Sequence, residues 1–290
     1  MSGLTHKIYV LTLMTVVIIV SVFLAIAGAD YYLTDKEQRF FHEQNELLKP
    51  SGLHGHGLGI IGFSLIMIGI LGYIARKRIP LFSGLGSLLY WLEFHIFMAA
   101  LGSVLVLFHT TFKFAGIAAY GFWSLVVVIV SGIIGRYIYI QVPRNRDGRE
   151  IDLEELKNKK ENFYSELQKK FLLDKEFIEF IKGTFIIEED TVFYGLFISI
   201  VFQRFVYEQQ LVHSIKSELL ARKIPKVEFR RILKFIRAEI VLSRRITWLP
   251  QTRKYYRIWH NIHLPLAVAM IVLIVVHVVI AFLFGYAWIF

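Results

Sequence analysis

Residues 88–109 read LLYWLEFHIFMAALGSVLVLFH, a largely apolar run interrupted by one acid, Glu93, and by two histidines, His95 and His109. A helix of about 20 apolar residues crosses the hydrocarbon core of a bilayer, so Leu88–Phe108 predicts a transmembrane span. The histidines stand fourteen residues apart. At 1.5 Å and about 100° per residue, that interval is a rise of roughly 21 Å with the side chains about 40° apart around the axis. One helix face thus carries two imidazoles at two depths.

Outward from this run, three more segments before residue 143 are long and apolar enough to span: Ile8–Ala29, Gly57–Ala75 and Ile117–Val142. A fifth runs from Leu264 to Phe290, and the fourteen-residue interval returns there in His263 and His277. The 290 residues are 56% hydrophobic and include no cysteine. Disulfides, thiolate-bound iron–sulfur clusters and covalent c-type haem are therefore excluded, and any metal must be held by histidine, methionine or carboxylate. No nucleic-acid motif is visible, so the net charge of +10 reads as a topology signal. The expected class is an all-α membrane protein of about five transmembrane helices, in contact with the lipid bilayer.

Between the fourth and fifth spans the composition changes. Arg144–Arg257 holds 24 of the 33 Lys and Arg and 17 of the 23 Asp and Glu. The expected organisation is a membrane part at 1–142, a basic, helical, water-facing cytoplasmic insertion at 143–259, and a last transmembrane helix at 260–290. Within the insertion, Glu154–Phe171 and Glu228–Arg245 read as amphipathic basic helices suited to a lipid-headgroup or partner surface. Val192–Phe202 is apolar but about half of the roughly 20 residues a span requires, and reads as core or interfacial sequence.

Lysine and arginine bias sets the orientation. Arg76, Lys77 and Arg78 follow the second span, and a basic run from Arg136 to Arg149 follows the fourth. The loop between the first two spans has five acids against three bases. The N-terminus is expected in the cytoplasm, in a cell's inner membrane, with the first apolar run an uncleaved helix. Spans three and five then run in the same direction, so that His95 meets the level of His263 and His109 that of His277.

Two parallel helices with matched histidines form two axial-ligand sandwiches. An octahedral haem iron takes two trans ligands, and neutral imidazole supplies them without burying charge. The expectation is two haem b: an inner iron between His95 and His263, an outer iron between His109 and His277. His260, one turn before His263, is the rival ligand or a propionate partner. Arg76, Arg136 and Arg257 inside, with Lys113 and Arg39 outside, are candidate propionate contacts. His54 and His56, at the outer end of the second span, are candidates to frame a quinone headgroup, to ligate something beside the outer haem, or simply to sit in the wet interface. Gly102, midway between His95 and His109, admits either a flat macrocycle or a partner helix. Gly62, Gly69, Gly72, Ser131, Gly132 and Gly135 read as small-residue helix contacts.

With these residues in place, the pattern resembles two membrane haem families. In the cytochrome b of quinol-oxidising complexes, the second and fourth helices of a four-helix bundle carry histidine pairs at this interval. In the ferric reductase-like or NADPH-oxidase transmembrane family, the pairs lie on helices three and five. The resemblance covers about 54–142 and 260–285, and His95, His109, His263 and His277 carry over. It implies a four-helix haem-binding bundle that moves electrons between a quinone, or an outer-face redox protein, and a partner subunit of an oxidoreductase complex. No Gly-rich dinucleotide motif and no quinol-site loop motif is visible, and the insertion fits neither family. The alternative function is a haem-free membrane scaffold, or a proton or metal transporter that uses the same histidines.

Overall fold

The computed structural model describes residues 3–116, 118–141, 212–220 and 226–284, together with isolated positions between 154 and 210. Among these there is no strand, and five helices are long and apolar enough to cross a membrane: Leu4–Ala27, Asn45–Arg78, Leu88–His109, Ala119–Ile140 and Thr252–Leu283. The chain divides into two compact units, Met1–Tyr137 with Arg257–Phe290, and Ile138–Tyr256.

The first unit opens with α1 (Gly3–Ala27) and α2 (Ala29–Leu33), followed by a 3-10 turn at Arg39–Phe41 and the short α3 (Asn45–Leu48). α4 (Leu53–Arg78) starts after the extended Gly52 and stops before Pro80, where the residue preceding a proline disfavours helix. Its last turn carries Arg76, Lys77 and Arg78, the charge that suits a helix C-terminus. α5 (Leu88–His109) begins after Gly86, whose φ of +68° makes the turn, and is followed, after Thr110, by two consecutive left-handed residues, Thr111 and Phe112. α6 spans Ala118–Gln141 and α7 spans Lys226–Leu283.

α4 and α5 are antiparallel and nearly touch along their backbones. Gly62 faces Gly102: a Cβ on Gly62 would lie 2.7 Å from the Gly102 carbonyl oxygen, and a Cβ on Gly102 would meet the Gly62 carbonyl in return. Seven residues further along α4, Gly69 lies against the His95 backbone, where an added Cβ would stand 3.4 Å from the His95 carbonyl oxygen. Seven residues the other way, Gly55 accepts a hydrogen bond from His109. Seven residues make close to two helical turns, so all three meetings fall on one seam. The open space at Gly102 is therefore taken by a partner helix.

α1 runs alongside α5 in the same direction. Tyr9 meets Tyr90 edge-on at 5.5 Å at one end, and Tyr32, just past α1, meets Phe108 at 5.3 Å at the other. The remaining face of α1, with Leu11, Ile18, Phe23 and Ile26, is exposed, the surface expected to face lipid. Ile66 of α4, Leu125 of α6 and Met270 of α7 form a buried cluster, joined by Val106 of α5.

Three features depart from the sequence-based expectation. α4 starts at Leu53, so His54 and His56 lie in its first turn and not ahead of it. Residues 29–52 form short helices and turns pinned by a buried arginine, described below. The last span also continues a longer helix: α7 runs from Lys226, its candidate membrane-crossing part is Thr252–Leu283, and the first unit resumes at Arg257. Composition marks where the surroundings change, whereas helix ends follow hydrogen bonding, and residues 251–263 are mostly compatible with helix.

In the second unit, Ile232, Ile236 and Ile240 are buried at four-residue spacing, while Arg230, Arg231, Lys234 and Arg237 are exposed. This is the amphipathic pattern read for Glu228–Arg245. Most of Glu154–Phe171 and all of Val192–Phe202 lie outside the described residues.

The seam makes a direct prediction. Gly62→Leu should force α4 and α5 apart and lower stability by about 1–3 kcal/mol, the usual cost of overpacking. Thermal unfolding in detergent, with Gly57→Ala as a control at a position where an added Cβ meets nothing within 4 Å, measures it.

Candidate functional site

His109 of α5 and His277 of α7 stand with their rings steeply inclined to each other. The rings of His109 and His277 have centroids 6.4 Å apart with an interplanar angle of 66°. His109 Nδ1 lies 2.8 Å from the Gly55 carbonyl oxygen. A carbonyl can only accept, so Nδ1 carries the proton and Nε2 keeps its lone pair for another partner. Gly59 flanks the same ring, where an added Cβ would come within 2.9 Å of Nδ1. His56 lies within electrostatic range of both rings, while His54 is exposed.

His95 and His263 are held differently. His95 is largely enclosed and stacks on the Tyr73 ring at 5.9 Å, with 30° between the ring planes. His263 sits within electrostatic range of His95. Its Nδ1 is 3.0 Å from the Ser131 hydroxyl, and its ring stacks on Trp259 at 4.9 Å. Trp259 in turn donates its indole N–H to the Ser131 carbonyl at 2.7 Å and lies against Gly135, where no Cβ obstructs it. The small residues of α6 thus receive a Trp259–His263 stack. His260 meets Trp259 edge-on at 6.2 Å and feels the charges of Lys77 and Arg78. His263 lies within electrostatic range of His95 and is hydrogen-bonded to α6.

The cations take up separate positions. Arg76 donates to the Gly86 carbonyl at 2.6 Å and ties the turn between α4 and α5. Lys113 is exposed just past the end of α5. Arg136 forms an ion pair with Glu93 at 3.0 Å, and Glu93, 6% exposed, also has His6 Nε2 at 3.4 Å. Glu93 is the one acid in the apolar spans read from the sequence. An ionisable group in a membrane helix is expensive and is expected to find a partner, so Glu93 itself was the legible signal for this cluster.

Arg39 carried less warning. It is 5% exposed and donates to the carbonyls of Tyr32 (2.6 Å), Thr34 (2.9 Å) and Thr111 (2.7 Å), with its guanidinium over the Tyr31 ring. It pins residues 29–41 to the end of α5 and holds the left-handed turn at Thr111.

Among the described residues, no three or more His, Asp or Glu side chains gather as a metal site. No protein-family model matches the chain, and no curated protein or solved structure shows significant similarity to it.

Removing one partner of a buried ion pair strands the other charge. Arg136→Met should lower stability by about 2 kcal/mol, below the usual range for fully buried pairs because Arg136 keeps 27% side-chain exposure. Adding Glu93→Gln should restore much of the loss. Unfolding of the two variants side by side in detergent tests both expectations.

Proposed function

We propose that this chain is a di-haem b-type cytochrome subunit that carries electrons across a membrane. The carrying observation is the 6.4 Å separation of the His109 and His277 centroids. Two imidazoles on opposite sides of one metal, each about 2 Å from it through nitrogen, have ring centroids about 6 Å apart. The donor chemistry agrees. The proton on His109 Nδ1 is occupied by Gly55, which leaves Nε2 as the ligating atom, and an outer hydrogen bond of this kind fixes ring orientation and raises ligand basicity. The Ser131 hydroxyl, which accepts as well as donates, orients His263 through its Nδ1.

In this reading His109 and His277 hold the outer iron, and His95 and His263 the inner one. The two levels on each helix are about 21 Å apart along the axis, which covers most of a bilayer core of about 30 Å. Haem supplies one-electron chemistry when bound. The chain's own residues orient the imidazoles, exclude water through the apolar helices and balance charge. Arg76, Arg136, Lys113 and His260 are the proposed propionate neighbours, although Arg136 already serves Glu93. His54 and His56 lie on the side where a quinone or an outer redox protein would approach.

The orientation belongs to the same proposal: N-terminus in the cytoplasm, the inner membrane as location, and the 143–259 insertion offered to a partner subunit. A second reading, a haem-free proton or metal transporter, draws on one observation: the Glu93, Arg136 and His6 cluster beside α5.

A reduced-minus-oxidised spectrum of the purified protein separates the two. Bands of b type with two haems per chain by pyridine haemochrome are expected, and a haem-free, spectrally silent protein would sink the cytochrome reading. With haem present, His277→Ala should remove one centre and spare the other. Loss of both, or of neither, would count against the pairing.

A further inference from the structure

The two ends of α5 differ in buried charge. Near His95, Glu93 is 6% exposed and is matched by Arg136 at 3.0 Å, so the pair sums to zero. Near His109, the buried charge is Arg39, 5% exposed, whose hydrogens go to the carbonyls of Tyr32, Thr34 and Thr111. Thr111 is two residues past His109, the last residue of α5. Carbonyls satisfy the hydrogens of a guanidinium without cancelling its charge, and no ion pair to Arg39 forms among the described residues. Arginine stays protonated at any working pH.

Two other fields compete. The C-terminus of a helix contributes roughly half a negative charge within its last turn, which offsets part of the Arg39 charge and leaves the remainder. The inner end has Lys77 and Arg78, both exposed, where water and salt screen them over about 8–10 Å, and Arg76, which donates to the Gly86 carbonyl and is only partly exposed, so that its charge is screened less than theirs but more than that of the buried Arg39. Buried charge acts through a lower dielectric and is screened much less.

We infer that Arg39 places the outer histidine pair in a more positive field than the inner pair, so that a one-electron centre held by His109 and His277 has the higher reduction potential of the two. A positive charge favours the reduced state of a neighbouring centre, and nearby charge and burial are among the means by which a protein tunes haem. This rests on the proposed haem ligation. It makes Arg39 a positioning residue twice over, for the outer segment and for the potential.

Spectroelectrochemical titration of the full-length, haem-loaded protein in lipid nanodiscs tests it. His277→Ala should delete the higher of two midpoints. Arg39→Gln should lower that midpoint and leave the other in place, while Arg39→Lys, which keeps the charge, should retain most of the original value. Deletion of the lower midpoint by His277→Ala, equal midpoints in the unmodified protein, or a folded Arg39→Gln protein with both midpoints unchanged would each overturn the inference. If Arg39→Gln does not accumulate, the His277→Ala comparison decides alone. The two levels remain distinguishable: a haem-free preparation overturns the cytochrome reading and this inference together, whereas two haems in the reverse order overturn only this one.

Discussion

The backbone contact between α4 and α5 constrains the rest of the first unit. In lipid there is little hydrophobic gain in bringing two apolar helices together, so association depends on close packing and on hydrogen bonds that cross between them. Gly62 and Gly102 permit the packing, and the His109 to Gly55 bond crosses it. Because that bond consumes the Nδ1 proton, the contact that joins the helices also selects the imidazole tautomer. Packing and chemistry are set by the same seam.

α6 and α7 meet by another solution. Here side chains fill the space: Trp259 lies where Gly135 leaves room, and Ser131 is used twice, its carbonyl by the indole and its hydroxyl by His263. Glu93 and Arg136 add a polar link between α5 and α6 within otherwise apolar sequence.

The fold class was legible because a membrane span announces itself by length and apolarity, and five segments had both. The histidine interval was legible for a similar reason: fourteen residues return a helix to nearly the same face. What could not be read were the groups without a side-chain signature. The Gly55 carbonyl is chemically the same as every other carbonyl in the chain, and nothing in its local sequence marks it as an acceptor. Arg39, in a polar segment beside Lys36 and Glu37, reads as a solvated charge, and only the folded turn at Thr111 reveals its burial. Gly102 admitted two readings, because a missing side chain says that something comes close and not what. That the last span continues a helix from Lys226 was not legible, because apolar composition reports the surroundings of a residue and not its backbone hydrogen bonding.

The seven-residue seam also determines which changes of chain length the protein tolerates. An extra residue anywhere between Gly55 and Gly69 would turn everything on one side of it by about 100° relative to the other. Gly62 could then stay opposite Gly102 only if Gly55 or Gly69 swung off the seam, taking with it either the acceptor of His109 or the close approach at His95. No sliding of α4 along α5 restores all three levels, since a shift that repairs one displaces the others. The length of α4 between its glycines should therefore change only in step with that of α5 between its histidines.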